Sequence, residues 1–177
     1  MNYLSDYTIA FSALKEGGHQ FDFAVDERFF EKFEQSEIKK GNVKVQVKLE
    51  KRSTYLRLTF ILAGEVELVC DRCLDNYLQP IKGSYPMLVK FSETETDDGD
   101  DVIYIHPGAH EVKVAGLIYE FIVLSIPIRH IHPEGKNAKV TCNPEMISKL
   151  SQYKATEIDE GTLIDPRWND LKNIIDK

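Results

Sequence analysis

The sequence predicts an α+β fold: a curved, mainly antiparallel sheet that could be barrel-like, one long core helix, and short helices toward the C-terminus. Three observations lead there. Val43, Val45, Val47 and Leu49 alternate with Lys44, Gln46, Lys48 and Glu50, and Leu56, Leu58, Phe60 and Leu62 repeat the alternation soon after, as half-buried antiparallel strands require. Past residue 112 the period becomes helical, with Val114, Leu117, Ile118, Phe121 and Ile122 on one face. The length of 177 residues and a hydrophobic content of 42% suit one domain, residues 1–177, with a substantial core.

Taken in order, residues 3–25 read as a hairpin. Tyr7, Ile9 and Phe11 alternate outward, Gly17-Gly18 supplies the turn, and Phe21, Phe23 and Val25 alternate back. Asp26 can cap a short helix carrying Phe29, Phe30 and Phe33 and ending near Gln35-Ser36. The two alternating strands follow, and Gly64 marks either a tight turn or a bulge beyond them. Residues 77–91 read as a long strand interrupted at Gly83 and Pro86, hence an edge or bent strand. Residues 93–101 form a mobile acidic loop and 102–106 a short strand. The core helix, residues 112–125 and about four turns, stops before Pro127. An irregular basic loop spans 127–141. Residues 144–177 form a C-terminal helical segment in which Asn143-Pro144-Glu145 and Asp165-Pro166 are helix starts, the second leading into Trp168, Leu171, Ile174 and Ile175.

Charge narrows the function. The net charge of -7 by itself argues against direct binding to a polyanion, since neutralising phosphates needs clustered lysine and arginine. Seven of its bases nevertheless fall between Ile38 and Thr59 against the single acid Glu50. Lys44, Lys48 and Arg57, with neighbouring Tyr55, therefore offer either a platform for phosphate contact and base stacking or an ordinary solvated sheet face. Arg129, Lys136 and Lys139 in the 127–141 loop are further candidates for an RNA or partner contact. The longest apolar stretch, residues 121–128, is far short of the roughly 18 to 20 residues that span a bilayer, so no membrane role is expected. Three cysteines and no leader argue for reduced thiols in the cytoplasm. The acidic loop does not fit an EF-hand, since Ile105 falls where the bidentate glutamate belongs. No nucleophile-base set and no phosphate-cradling glycine loop is present.

Cys70 and Cys73 are separated by two residues at a strand end, so two thiolates can converge on one point. With Cys142 and either His132 or His130 they could complete a tetrahedral zinc site. Cys142 directly precedes a helix start, whose partial positive charge favours a thiolate. The alternatives are small apolar cysteines with ordinary loop histidines, or a redox dithiol, which lacks its usual setting before a helix in a βαβ unit.

Two stretches together carry a family likeness: Cys70-Asp71-Arg72-Cys73-Leu74 after a glycine-containing strand pair, and Asp165-Pro166-Arg167-Trp168 followed by Leu171. Over most of its length the chain resembles the YceD family of large ribosomal RNA subunit accumulation proteins. The resemblance implies a bacterial, cytoplasmic, non-enzymatic factor for synthesis, processing or stability of large-subunit ribosomal RNA, with no catalytic residues to carry over. Its partners would be that RNA, a ribosomal protein or an assembly intermediate, with no DNA expected. Where many members look to have a further cysteine cluster, this chain offers only Cys142 with His130 and His132. Arg167 is left over by a purely structural account of the Asp-Pro-Arg-Trp helix, and it either pairs across the fold or faces a partner. Two other functions fit the same residues: a metal-dependent RNA-processing enzyme, and a protein-protein adaptor that does not touch RNA.

Overall fold

The computed structural model describes residues 3–34, 36–94, 101–132 and 141–153. Its centre is a five-stranded sheet of β2 (Gly17–Val25), β3 (Gly41–Lys51), β4 (Tyr55–Val69), β5 (Asn76–Phe91) and β6 (Val102–Ile105), in that spatial order. The first three pairings are antiparallel and β5 with β6 is parallel. A separate two-stranded piece joins β1 (Thr8–Ile9) to β7 (Val112–Lys113). The helices are α1 (Glu27–Phe30), α2 (Ala115–Leu124) and α3 (Pro144–Gln152). The sheet is open, with β2 and β6 at its ends, and is not a closed barrel.

β3 and β4 form as their alternation predicts. Val43, Val45, Val47, Leu49, Leu56, Leu58, Phe60 and Leu62 are buried on one face, and Lys44, Lys48 and Arg57 are exposed on the other. Gly64 is neither turn nor bulge. It lies within the unbroken β4 opposite Val43, where a Cβ would overlap the Asn42 carbonyl oxygen and stand 2.6 Å from the Val43 Cα. The glycine is what lets the two backbones approach. β5 likewise runs through Gly83 and Pro86 without a break and pairs with β4 from Asn76 to Lys90. β6 covers only Leu88 to Phe91 on the far side, so the rest of β5 is an edge, and there Pro80 and Pro86 cost no ladder bonds.

The N-terminal hairpin is corrected too. Gly17, at φ +125°, opens β2 itself, and β2 pairs with β3 along all nine residues. Tyr7, Ile9 and Phe11 still enter the core, but through pairing with β7 a hundred residues away. Lys51 holds the connecting segment, its Nζ donating to the carbonyl oxygens of Phe11, Ser12 and Leu14 at 2.8–3.2 Å. α1 is capped by Asp26, whose carboxylate accepts from the Arg28 N–H at 3.1 Å, and it is a single turn ending well before Gln35-Ser36. Phe33 leaves it to stack on Tyr119 at 4.1 Å.

The core helix is shorter than the expected 112–125. Val112 and Lys113 are taken by β7, and Val114 and Ser125 are the caps, leaving ten residues, a little under three turns. α2 lies over the buried face, where Ile118 and Ile122 are fully enclosed and Phe121 meets Phe60 at 5.0 Å and stacks on Tyr85 at 4.7 Å. The Ser125 hydroxyl closes its end by donating to the Phe121 carbonyl oxygen and lies 2.9 Å from the Tyr85 hydroxyl. α3 matches its start signal, with Asn143 Oδ1 accepting from the Glu145 N–H at 3.0 Å. Most of the acidic loop, the interior of the 127–141 loop, and the Asp-Pro-Arg-Trp helix start lie outside the described residues. Among the described residues no helix is long and apolar enough to cross a membrane.

Candidate metal centre and outer sheet face

β4 ends at Val69 and β5 begins at Asn76, so the Cys-Asp-Arg-Cys stretch is the tip of the longest hairpin. The tip folds tightly. The Leu74 N–H donates to the Cys70 carbonyl at 2.9 Å, the Cys70 N–H to the Asp75 carbonyl at 3.0 Å, and Leu74 takes a left-handed φ of 63°. Both thiols are thereby turned inward, and Cys70 and Cys73 are buried. The segment after α2 crosses this tip. The Asp71 N–H donates to the His130 carbonyl at 2.6 Å, and the Asp71 carboxylate accepts from the His130 N–H at 2.7 Å. That double clasp spends the His130 backbone and delivers His132, two residues on, into the tip.

Cys70, Cys73, His132 and Cys142 come together with their ligand atoms all within 4.8 Å of one another. Cys70 Sγ is 3.8 Å from Cys142 Sγ, and His132 Nδ1 is 3.5 Å from both Cys73 Sγ and Cys142 Sγ. Tetrahedral zinc, with bonds of about 2.3 Å to sulfur and about 2.0 Å to nitrogen, sets separations of ~3.8 Å between sulfurs and ~3.5 Å from sulfur to nitrogen. The donor set and these three separations therefore suit zinc, and the four residues could hold it. Of the two candidate histidines it is His132, only 2% exposed, that belongs to the cluster.

The electrostatics of the four groups are uneven. Burial pushes the Cys70 thiol up, but the backbone N–H groups of Cys73, Arg72 and His132 and the His132 side chain outweigh it and bring it down to about 6. Burial also pushes Cys142 up, and there the Cys70 and Cys73 thiols add in the same direction. A cation among the sulfurs would offset the charge with which Cys70 opposes ionisation of Cys142. Tyr77 closes one side, its ring 5.0 Å from the imidazole of His132.

The second candidate region is the outer face of the sheet. The register sets Lys48 opposite Thr59, Glu50 opposite Arg57 and Lys44 opposite Ala63, so Lys44, Lys48, Tyr55 and Arg57 all point the same way, as expected. Arg57 lies 6.0 Å over the Tyr55 ring and 3.7 Å from Glu50, which also holds Arg52 at 2.6 Å. The structure adds Lys82 opposite Ala63, Lys90 opposite Tyr55 and Tyr104 opposite Lys90 to this face. Their signal was the parity of β5: every even-numbered residue from 76 to 90 shares the outer side. Arg129 is exposed but follows α2 at the cysteine end, about 40 Å along β4 from Arg57 at the usual strand rise. It does not join the basic face. Lys136, Lys139 and Arg167 lie outside the described residues.

Comparison with known proteins ties one of these regions to a family. No curated protein and no solved structure matches the chain. The family model described as "Large ribosomal RNA subunit accumulation protein YceD" matches residues 58–175. That span holds all four residues of the metal cluster and begins just after Lys44, Lys48, Tyr55 and Arg57. Matched over most of its length, with the cysteine hairpin inside the matched span, the chain belongs to the YceD family of large ribosomal RNA subunit accumulation proteins.

Proposed function

We propose that the protein is a non-catalytic factor of large-subunit ribosome biogenesis that contacts large-subunit ribosomal RNA through the outer face of its sheet and is braced by a structural zinc ion. The observation that carries the ribosomal part is the family match over residues 58–175. Direct contact with RNA rests on the outer face itself, because the residues concerned precede the matched span. That face combines exposed Lys44, Lys48 and Lys82 with Tyr55 and Tyr104, the mixture of cations and stacking surfaces that suits single-stranded nucleic acid. Arg57 is shared with Glu50, but a surface ion pair is worth at most about 1 kcal/mol and a phosphate can displace it.

The chemistry of the cluster supports a structural role for the metal. A catalytic zinc keeps three protein ligands and leaves a position for water, whereas Cys70, Cys73, His132 and Cys142 supply four. When bound, zinc would link the β4-β5 hairpin, the segment after α2 and the start of α3. The chain's own contribution is to place one ligand or two from each of these and to exclude water with Tyr77 and the walls of the hairpin.

A strain lacking the protein tests this function. Sucrose gradients are expected to show a deficit of large subunits relative to small ones, with large-subunit RNA lowered to match. RNA incubated with the purified protein should keep its length on a denaturing gel. Unchanged gradients would remove the ribosomal reading, and specific cleavage of the RNA would replace the factor with an enzyme.

A further inference from the structure

Among the described residues, eight large apolar side chains are exposed, and all of them sit on the three segments that build the cysteine end. Val69, Leu74 and Leu78 flank the hairpin tip, Val123, Leu124 and Ile128 follow from α2, and Leu150 and Tyr153 close α3. Scattered apolar residues need no explanation, but such segregation to one end marks a surface built to be covered. Two clefts, of about 410 and 430 Å³, run into one another there through Glu37, Leu68 and His130. The first is walled by Ile38, Tyr119, Val123 and Ile128, and it can admit an aromatic side chain.

We propose that the occupant is the chain's own C-terminal segment, residues 154–177, with Trp168 seated in the cleft between Ile38 and the end of α2. Three facts select it. α3 starts beside the cluster at Cys142, contains no buried residue, and leaves Tyr153 84% exposed at its end, so the chain departs from this part of the molecule with its apolar side still uncovered. Beyond it, after the Asp165-Pro166 start, Trp168, Leu171 and Ile175 recur in the sequence at i, i+3 and i+7, the spacing of one apolar helical stripe. Arg167, beside the tryptophan, complements the acids Glu37, Glu67 and Asp71 that line the two clefts.

Reach is not limiting. Residues 154–167 can span about 45 Å when extended, against a diameter of about 40 Å for a domain of this size. The tether also gives the segment an effective concentration in the millimolar range, above that of a free partner at cellular levels. The proposal is independent of RNA binding.

Trp168 is the only tryptophan, so fluorescence of the full-length, zinc-loaded protein reads this residue alone. The wild type should emit well to the blue of the urea-unfolded chain and resist acrylamide quenching. Ile128→Asp, at a position 99% exposed, leaves the core intact, and Val123→Asp alters a second cleft wall. Each should shift the emission to the red and raise quenching several-fold while circular dichroism and zinc content stay unchanged. A tryptophan already open to quencher in the wild type, or one buried but indifferent to both substitutions, would overturn the proposal. So would an emission that shifts with protein concentration, since that would assign the cleft to a second copy.

Discussion

Asp71 explains why the metal cluster takes one histidine and refuses the other. Its N–H and its carboxylate both engage the backbone of His130, which fixes the crossing segment so that the side chain two residues on, and not His130's own, enters the hairpin tip. His132 is then held among three sulfurs and against Tyr77, with Nδ1 facing the cluster. Metal analysis of protein purified without chelator should give about one zinc per chain. His132→Ala and Cys73→Ser should each lose most of it, and His130→Ala should retain it. A structural zinc is folding free energy. If its loss removes about 3 kcal/mol, Tm should fall by roughly 6–12 °C in a domain of this size. Equal zinc in the two histidine variants would contradict the geometry. The cysteine pair and Cys142 were legible as candidates from residue type and spacing alone. The choice of histidine was not, because it depends on a backbone clasp to an aspartate that local sequence does not distinguish from any other loop acid.

At the scale of elements, legibility followed the range of the interactions. β3 and β4 are written in an unbroken two-residue period, and α3 in its Asn-Pro-Glu start, so both could be read from neighbouring residues. The N-terminal hairpin failed because β1 pairs with β7, a contact with no local signature, while Gly17-Gly18 looks like a turn whether it joins two strands or opens one. The same pairing shortened α2: Val112 and Lys113 stand directly before the helical stripe and were read into the helix, but β1 claims their backbone. Gly64 was ambiguous for a related reason, since its role is set by the Asn42-Val43 backbone on the neighbouring strand. That role is testable. Gly64→Ala should destabilise the protein by about 1–3 kcal/mol, the usual cost of forcing atoms into a packed site. Urea denaturation should show a lower midpoint with an unchanged slope. A neutral Gly64→Ala would mean that β3 and β4 separate there at little cost.

For the whole molecule, the charges and apolar groups are sorted along the sheet. Toward the β3-β4 turn the outer face carries Lys48, Arg57 and Lys90 with Tyr55 and Tyr104, while toward the hairpin tip Glu65 and Glu67 follow on β4 and the exposed apolar residues gather. A polyanion is attracted to the first end, so a chain of net charge -7 can still present an RNA surface. Each phosphate contact releases counterions, and its removal lowers the salt dependence by about one unit in log K against log salt. The most direct test of the account is therefore the affinity of the full-length protein for large-subunit ribosomal RNA across a salt series, for the wild type and for a variant with Lys44, Lys48 and Arg57 all changed to Gln. The account predicts wild-type binding that weakens steeply with salt, and a variant that is folded, weaker at low salt and shallower in slope by about two to three units. Equal affinities and slopes for the two proteins, or no binding by either, would contradict it.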